Sequence, residues 1–306
     1  KLELLCETGV DEMNWDDLHD GEQDVWPSLE EVREYRFQVY NLVKGVIQTH
    51  PDLDEPITMN KPTWALAMAF EHERIHLETS SVLMRELPIA LVKAPKAWPP
   101  YITAPVAPIS EPVSGRDYPN NELVEIVGGE ARLGKPHSWP SFGWDNEYGH
   151  DKRQVTDFRT SKFLISNGEF FEFVKSGGYE EKKHWSDSGW GWRQFRNVKW
   201  PTFWVQDGPA GSNKFKLRST FAELPMQWSW PAVVNFYEAK AYCHWLSEKE
   251  GVESPYRLLQ ESEHQAIRGP EIGKASDWPA GGDSLLAYDQ VMNSTQLYSI
   301  NHNLRF

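Results

Sequence analysis

The sequence has only two cysteines, Cys6 and Cys243, in 306 residues. They allow one bridge at most, which excludes a disulfide-built scaffold and points to a reducing compartment. It lacks any apolar run near the roughly 20 residues that a membrane helix requires; Trp64 to Phe70 is among its longest. It is also poor in positive charge, with 31 Lys and Arg against 45 Asp and Glu, a formal net charge of −14. Nucleic acid and anionic membrane repel such a chain, so neither is expected as a partner. No repeat, low-complexity tract or signal peptide is visible, and a cytoplasmic location is the expectation.

What is present is an ordinary globular composition, 40% hydrophobic and 25% charged, over a length that suggests two domains at about 150 residues each. Aromatics stand out: 15 Trp, 11 Tyr and 14 Phe, with most of the tryptophans after residue 138. Buried indoles need partners for their N–H groups, so this density points to a loop-rich fold whose aromatics hold irregular backbone together.

The first hundred residues read as helices. Ser28 and Glu31 form a capping box, and Val32, Tyr35, Val39, Leu42, Val43, Val46 and Ile47 follow at helical spacing until Pro51. A second helix is predicted from near Asn60, with Pro62 in its first turn, to about Leu87 before Pro88. A shorter stretch before Trp26 is a further helix candidate. Short connections between helices suggest an antiparallel bundle over residues 1–94. Seven prolines between Pro95 and Pro119 then make a stiff, non-helical connector over 95–121.

Beyond it, residues 122–306 read as mixed α+β. Leu123 to Val127, Gly128-Gly129 and Ala131 to Leu133 suggest a short hairpin, and Val155–Phe158 and Lys162–Ile165 suggest strands. Ser166 and Glu169 cap a helix ending at Gly177-Gly178, and a longer helix runs from Asn235 to Glu250 before Gly251.

The sharpest chemical signal is Glu71-His72-Glu73-Arg74-Ile75-His76-Leu77-Glu78. Two histidines four apart on a helix share one face and can share a metal. Trp64, Met68, Ile75 and Leu83 fall on that face too, which marks it as the inward one; two separately satisfied core histidines are the plainer alternative. His72-Glu73-x-x-His76 also spells the zinc-peptidase motif, with Glu73 as general base. Its extended form needs a Gly and a third His, and Thr79-Ser80-Ser81-Val82 supplies neither, although Glu86 or Glu111 remains available as a distant ligand. Glu78 lies roughly 200° around the helix from His76 at ~100° per residue, so it reads as an outer-shell carboxylate rather than a ligand.

The run His72-x-x-x-His76-x-Glu78 resembles the metal motif of DinB-like domains. The second half resembles formylglycine-generating-enzyme (sulfatase-modifying-factor) domains, which have a C-type-lectin-like fold. The matching stretches are Ile126–Gly134, Asp145-Asn-Glu147, Ser166–Phe170, Tyr237–Cys243 and Arg257–His264. The two in this order resemble the ergothioneine and ovothiol sulfoxide synthases, and His72 to Ser81 is closer to the ovothiol branch. The resemblance implies a two-domain α+β protein, a DinB-like helical bundle followed by a formylglycine-generating-enzyme-like domain. It implies non-haem Fe(II) held by three imidazoles, two of them His72 and His76, and O₂-dependent joining of cysteine sulfur to C5 of histidine as a sulfoxide. Trimethylated histidine as substrate marks the ergothioneine branch. A non-catalytic lectin-like binding module is an alternative of another class.

The pattern departs from the family in three places. The third histidine is expected upstream of Lys1, because His19 and His50 sit in predicted loop and read as surface residues. The second domain reads as truncated before the active-site tyrosine, so the chain reads as a fragment that alone is inactive. The methyltransferase domain that ovothiol synthases often carry is not visible in these residues. Cys243, on a helix face with Ala239, Tyr242 and Leu246, reads as core, and the reactive cysteine pair of formylglycine-generating enzymes is missing. Asn293-Ser-Thr295 is a sequon without other signs of secretion. Trp185, Trp190, Trp192 and Trp200 with Arg193 and Arg196 offer a pocket for a zwitterion or, more plainly, an aromatic core with solvated charges.

Overall fold

The computed structural model describes residues 27–103, 111–138 and 141–267. Cys6, His19, the helix candidate before Trp26 and the sequon at Asn293 lie outside them. The chain falls into two compact units, residues 1–63 and 64–306, each described by itself.

In the first unit, Ser28 starts α1 (Leu29–Thr49) by accepting from Glu31 N–H while the Glu31 carboxylate accepts from Ser28 N–H. Pro51 ends it in a single 3₁₀ turn. No residue of α1 is buried, and Tyr40 and Leu42 are 60% and 69% exposed. His50 is half-buried rather than a free surface histidine: its Nδ1 caps the turn by accepting from Asp52 N–H at 3.3 Å.

The second unit opens with α2 (Thr63–Glu86), whose first residue belongs to the preceding unit. Pro62 therefore lies just before the helix rather than inside it. Four strands follow: β1 (Leu123–Ile126), β2 (Gly129–Leu133), β3 (Asp151–Val155) and β4 (Phe158–Ser161). The expected short hairpin is not formed, because β1 and β2 do not pair with each other. β1 pairs with β4 and β2 with β3, so residues 123–133 and 151–161 make one long antiparallel ribbon interrupted in its middle. Gly128 is why the chain continues instead of turning: it crosses the opposite strand so closely that a Cβ would sit 2.2 Å from Val155 O, and its N–H donates to Asp157. Lys162–Ile165 is loop rather than strand; Phe163 N–H is taken by the Asn121 side chain instead of a ladder partner.

The core follows. α3 (Asn167–Lys175) has the predicted capping box and ends at Gly177, whose φ of 84° and the Gly178 N–H to Phe173 O bond close the helix. α4 (Asp187–Arg196) was not foreseen; Gly189 and Gly191 obscure it, but Ser186 caps it and Asn197 ends it in the left-handed region. β5 (Trp204–Gln206), β6 (Phe215–Arg218) and β7 (Glu223–Pro225) form an antiparallel sheet in chain order. α5 (Phe236–Glu250) and α6 (Glu261–Ile267) complete the described residues.

Helix α3 divides two aromatic clusters. Phe170 and Phe173 pack with Tyr179, Trp185, Tyr242 and Trp245, while Phe171 packs with Trp204, Phe215, Leu217 and Met226. The indoles find acceptors as their burial requires: Trp185 donates to Gly178 O and Trp204 to the Asn167 side chain. Tyr179 donates to buried Glu238 at 2.5 Å. Burial pushes the Glu238 carboxyl up, against the pull of Tyr179 and the Asn235 N–H. Among the described residues, no helix is long and apolar enough to cross a membrane.

Candidate metal centre

Helix α2 is continuous through the histidine run, so His72 and His76 lie one turn apart. Glu71 supports that turn by pairing with Arg74 at 2.7 Å, an i,i+3 contact. The two imidazoles stand edge to face, with centroids 4.5 Å apart and ring planes at 83°. Two imidazoles on one ion at about 2.1 Å, with roughly 90° between them, place their centroids about 4.5 Å apart. The observed centroid separation equals that distance. Among the described residues no group of three His, Cys, Asp or Glu could complete the set.

The histidine face is not the inward one. His72 and His76 are exposed, as are Met68, Ile75 and Leu83 at 40%, 42% and 65%. Helix α2 meets the rest of its unit along a different stripe, where Trp64, Ala67, Glu71, Ser81 and Arg85 are half-buried at helical spacing. Leu66 and Met84 are half-buried as well, so the contacting residues mix apolar and polar side chains, and hydropathy does not register the contacts made by hydrogen bonds. Glu73 and Glu78 are both exposed, and Glu78 lies off the face of the pair.

Two anchors hold the helix. At its start Trp64 packs on Phe142 and Tyr148, with centroids 4.9 and 6.5 Å away. Lys135 lies over the Tyr148 ring and donates to Ser141 and Phe142 carbonyls. Burial pushes the Lys135 ammonium down, and Glu147 and Glu71 pull it back up. At the other end, Arg85 donates to the backbone carbonyl of Arg218 at 2.7 and 3.2 Å, its guanidinium 3.6 Å above the Phe203 ring. Burial and the neighbouring Arg218 charge bring Arg85 down to about 10, with Tyr101 acting in the opposite direction. The anchoring residues Arg85, Lys135, Tyr148 and Arg218 carried no sequence signal; each is an ordinary residue until the fold brings its partner to it.

The remaining candidates resolve as follows. Trp185 is buried in the first aromatic cluster, Trp190 and Trp192 pack against it, and Trp200 packs against the second. Arg193 lies over Trp190 while Arg196 is exposed. These tryptophans form core rather than a zwitterion pocket. Cys243 is half-buried, and burial pushes its thiol up, which suits a packing residue. Glu111 is engaged by Lys175 at 2.5 Å, and Glu86 is exposed.

The chain is similar to several known proteins. Over 200 residues the chain is 29% identical to a hercynine oxygenase of Mycolicibacterium smegmatis, covering 63% of the chain and 41% of that relative. A hercynine oxygenase of Mycobacterium tuberculosis is 32% identical over 101 residues, covering 33% and 23%. Ergothioneine biosynthesis protein 1 of Neurospora crassa is 26% identical over 157 residues, covering 49% and 17%. The aligned part thus spans less than half the length of each of these relatives. The profile of the sulfatase-modifying factor enzyme 1-like domain matches residues 110–301, from just after the histidine helix through the aromatic core. Because that match takes in more than half of the sequence, the chain belongs to the sulfatase-modifying factor enzyme 1-like domain family.

Proposed function

We propose that the chain is part of a non-haem Fe(II)-dependent sulfoxide synthase that joins cysteine to C5 of histidine, giving 5-histidylcysteine sulfoxide as in ovothiol biosynthesis. What supports this reading is the pairing of His72 and His76, one turn apart with ring centroids 4.5 Å apart, on a helix in the same unit as the sulfatase-modifying-factor match. The relatives named for hercynine oxygenation and ergothioneine biosynthesis support the same class of chemistry. The DinB-like assignment of residues 1–94 rests on the histidine motif.

The reaction balances without an external reductant. The thiol and the imidazole C–H each lose a hydrogen, a C–S bond forms, one oxygen atom of O₂ ends on sulfur and the other leaves as water. Bound Fe(II) would supply a spin-allowed reaction with O₂ and a place to hold sulfur beside the ring carbon. His72 and His76 would donate two neutral imidazole nitrogens. We assign the third donor to a histidine upstream of Lys1 and an outer-shell role to Glu78. A reducing, cytoplasmic setting suits a thiol substrate.

A second reading takes hercynine, histidine with a trimethylated α-amine, as the acceptor; the names of the relatives favour it. Mass spectrometry of products from the full-length protein with Fe(II), O₂, cysteine and each acceptor separates the two. A cysteine–histidine adduct carrying one extra oxygen, lost in His72→Ala and His76→Ala, is the expected result. An adduct with trimethylhistidine only selects the second reading. No adduct with either, together with co-purifying zinc, would sink both in favour of the His-Glu-x-x-His peptidase.

A further inference from the structure

The end of α2 shows an arrangement that neither the family match nor the metal motif accounts for. Arg218, the last residue of β6, is only 6% exposed, yet no carboxylate among the described residues pairs with it. Its guanidinium donates instead to main-chain carbonyls: Nη2 to Met84 at 3.3 Å and Leu87 at 3.1 Å, Nη1 to Thr220 at 3.1 Å and also to Ser219. Met84 lies in the last turn of α2 and Leu87 directly follows it; the Met84 carbonyl also accepts from Leu87 N–H at 3.3 Å, and the helix dipole is negative at this end. Arg85 on the same turn completes the exchange by donating to the Arg218 carbonyl.

The result is a reciprocal lock. Each arginine binds the main chain of the other's segment, so the helix end and β6 are held in both directions. One buried and one half-buried cation this close repel, and the carbonyls, the helix dipole and the Phe203 ring beneath Arg85 offset that repulsion. A lysine cannot replace the fork, because a single ammonium does not span carbonyls on two segments in one plane. The lock lies about 12 Å along the helix from His76, at 1.5 Å per residue over eight residues. Trp64 anchors the other end against Phe142, and the two histidines lie between the anchors.

We infer that Arg218 is a positioning residue: by capping α2 from β6 it sets where the exposed His72–His76 pair stands relative to the sulfatase-modifying-factor domain. The consequence for catalysis rests on the proposed synthase function; the consequence for geometry does not. Binding two imidazoles one turn apart requires only the helix, whereas delivering the held sulfur to the right ring carbon requires the helix to be fixed against the domain. Arg218 substitution therefore separates metal binding from productive turnover.

The test uses the histidine pair as its own probe. Cu(II)–iminodiacetate on His72 and His76 is paired with a nitroxide at Gln194→Cys, in the full-length protein with Cys6 and Cys243 changed to Ser, and the distance distribution is read by pulsed EPR. The expected result is a narrow distribution with Arg218, a broadened one in Arg218→Lys and in Arg85→Met, and Cu(II) affinity unchanged within about twofold in all of them. Adduct formed per O₂ consumed is expected to fall at least fivefold in Arg218→Lys, with iron content retained. A distribution as narrow in both variants as in the parent overturns the lock. A broadened distribution with an unchanged adduct-to-O₂ ratio overturns the positioning role. If the parent forms no adduct, the synthase reading fails by itself, and the distance distribution still decides whether Arg218 holds the helix.

Discussion

The aromatic core around α3 and the histidine helix α2 belong to one compact unit but are held by opposite means. In the core, Phe170, Phe171 and Phe173 are 2% exposed or less, and the polar groups buried with them are satisfied in pairs, Tyr179 with Glu238 and Trp204 with Asn167. On α2 only Thr63 is buried, large apolar side chains stand in solvent, and the attachment runs through Trp64 and two arginines. The difference teaches where precision resides. Apolar burial is strong but non-directional, whereas carbonyls bound by a planar guanidinium fix an axis and a register. A rigid scaffold and an oriented histidine helix need these two different attachments.

The largest break in this contrast is expected at Phe173, which is 0% exposed and packs on Tyr179, Trp185, Tyr242 and Trp245. Phe173→Ala is expected to cost about 3–5 kcal/mol in denaturant unfolding, through lost burial and a cavity. A cost below about 1 kcal/mol would mean that this cluster does not hold the unit together.

Tyr179→Phe keeps the ring and removes the hydroxyl from Glu238, leaving a buried carboxylate with one fewer donor. A loss of about 2 kcal/mol is expected, the range for a hydrogen bond to a charged group. Since burial raises the Glu238 pKa above its unfolded value, this group's contribution is greatest below the unfolded carboxylate range and declines as pH rises through the folded pKa. Without Tyr179 to stabilise the anion, the pKa rises further. The Tyr179→Phe deficit should therefore be larger at pH 7 than at pH 4, as melting at the two values would show; a larger deficit at pH 4 contradicts the assignment.

His184 gives a smaller effect of the opposite sign. It is buried beside Glu181, Glu248, Lys183 and His244, and burial holds its pKa below the ordinary value. Stability from this residue is present above the unfolded histidine pKa and is lost as pH falls through that range. His184→Gln should flatten the melting curve between pH 7 and pH 5 by about 1 kcal/mol or less. An unchanged slope would show that other groups set the acid limit.

The smallest effect is expected on α2 itself. Leu77, one residue past His76, is 72% exposed, and Leu77→Ser should change stability by less than about 0.5 kcal/mol. A loss of 2 kcal/mol or more would show that this face is covered in solution, and would turn the contrast between the two regions into a likeness.

Several features were legible because their physics is local. The capping boxes at Ser28 and Ser166, the helix start at Asn235 and the stops at Pro51, Gly177 and Gly251 depend on residues within a turn of each other, and all stand where the pattern puts them. The i,i+4 histidine pair was legible for the same reason. The ribbon was misread because Gly128-Gly129 permits a turn without requiring one, and only the close approach of Val155 selects the straight path. The direction of the histidine face was misread because an apolar stripe signals burial only when something packs against it.

By itself, the sequence determined α1, α3 and α5 with their ends, the spacing of His72 and His76 on one helix, and the aromatic supply for the core, since these follow from spacing along one chain. Tertiary structure alone decided which side of α2 meets the domain, which strand pairs with which, and that Arg218 caps a helix more than a hundred residues away. The physical reason is that a guanidinium binds whichever carbonyls are presented to it, and no pattern in the chain marks those of Met84 and Leu87 until the fold brings them to β6.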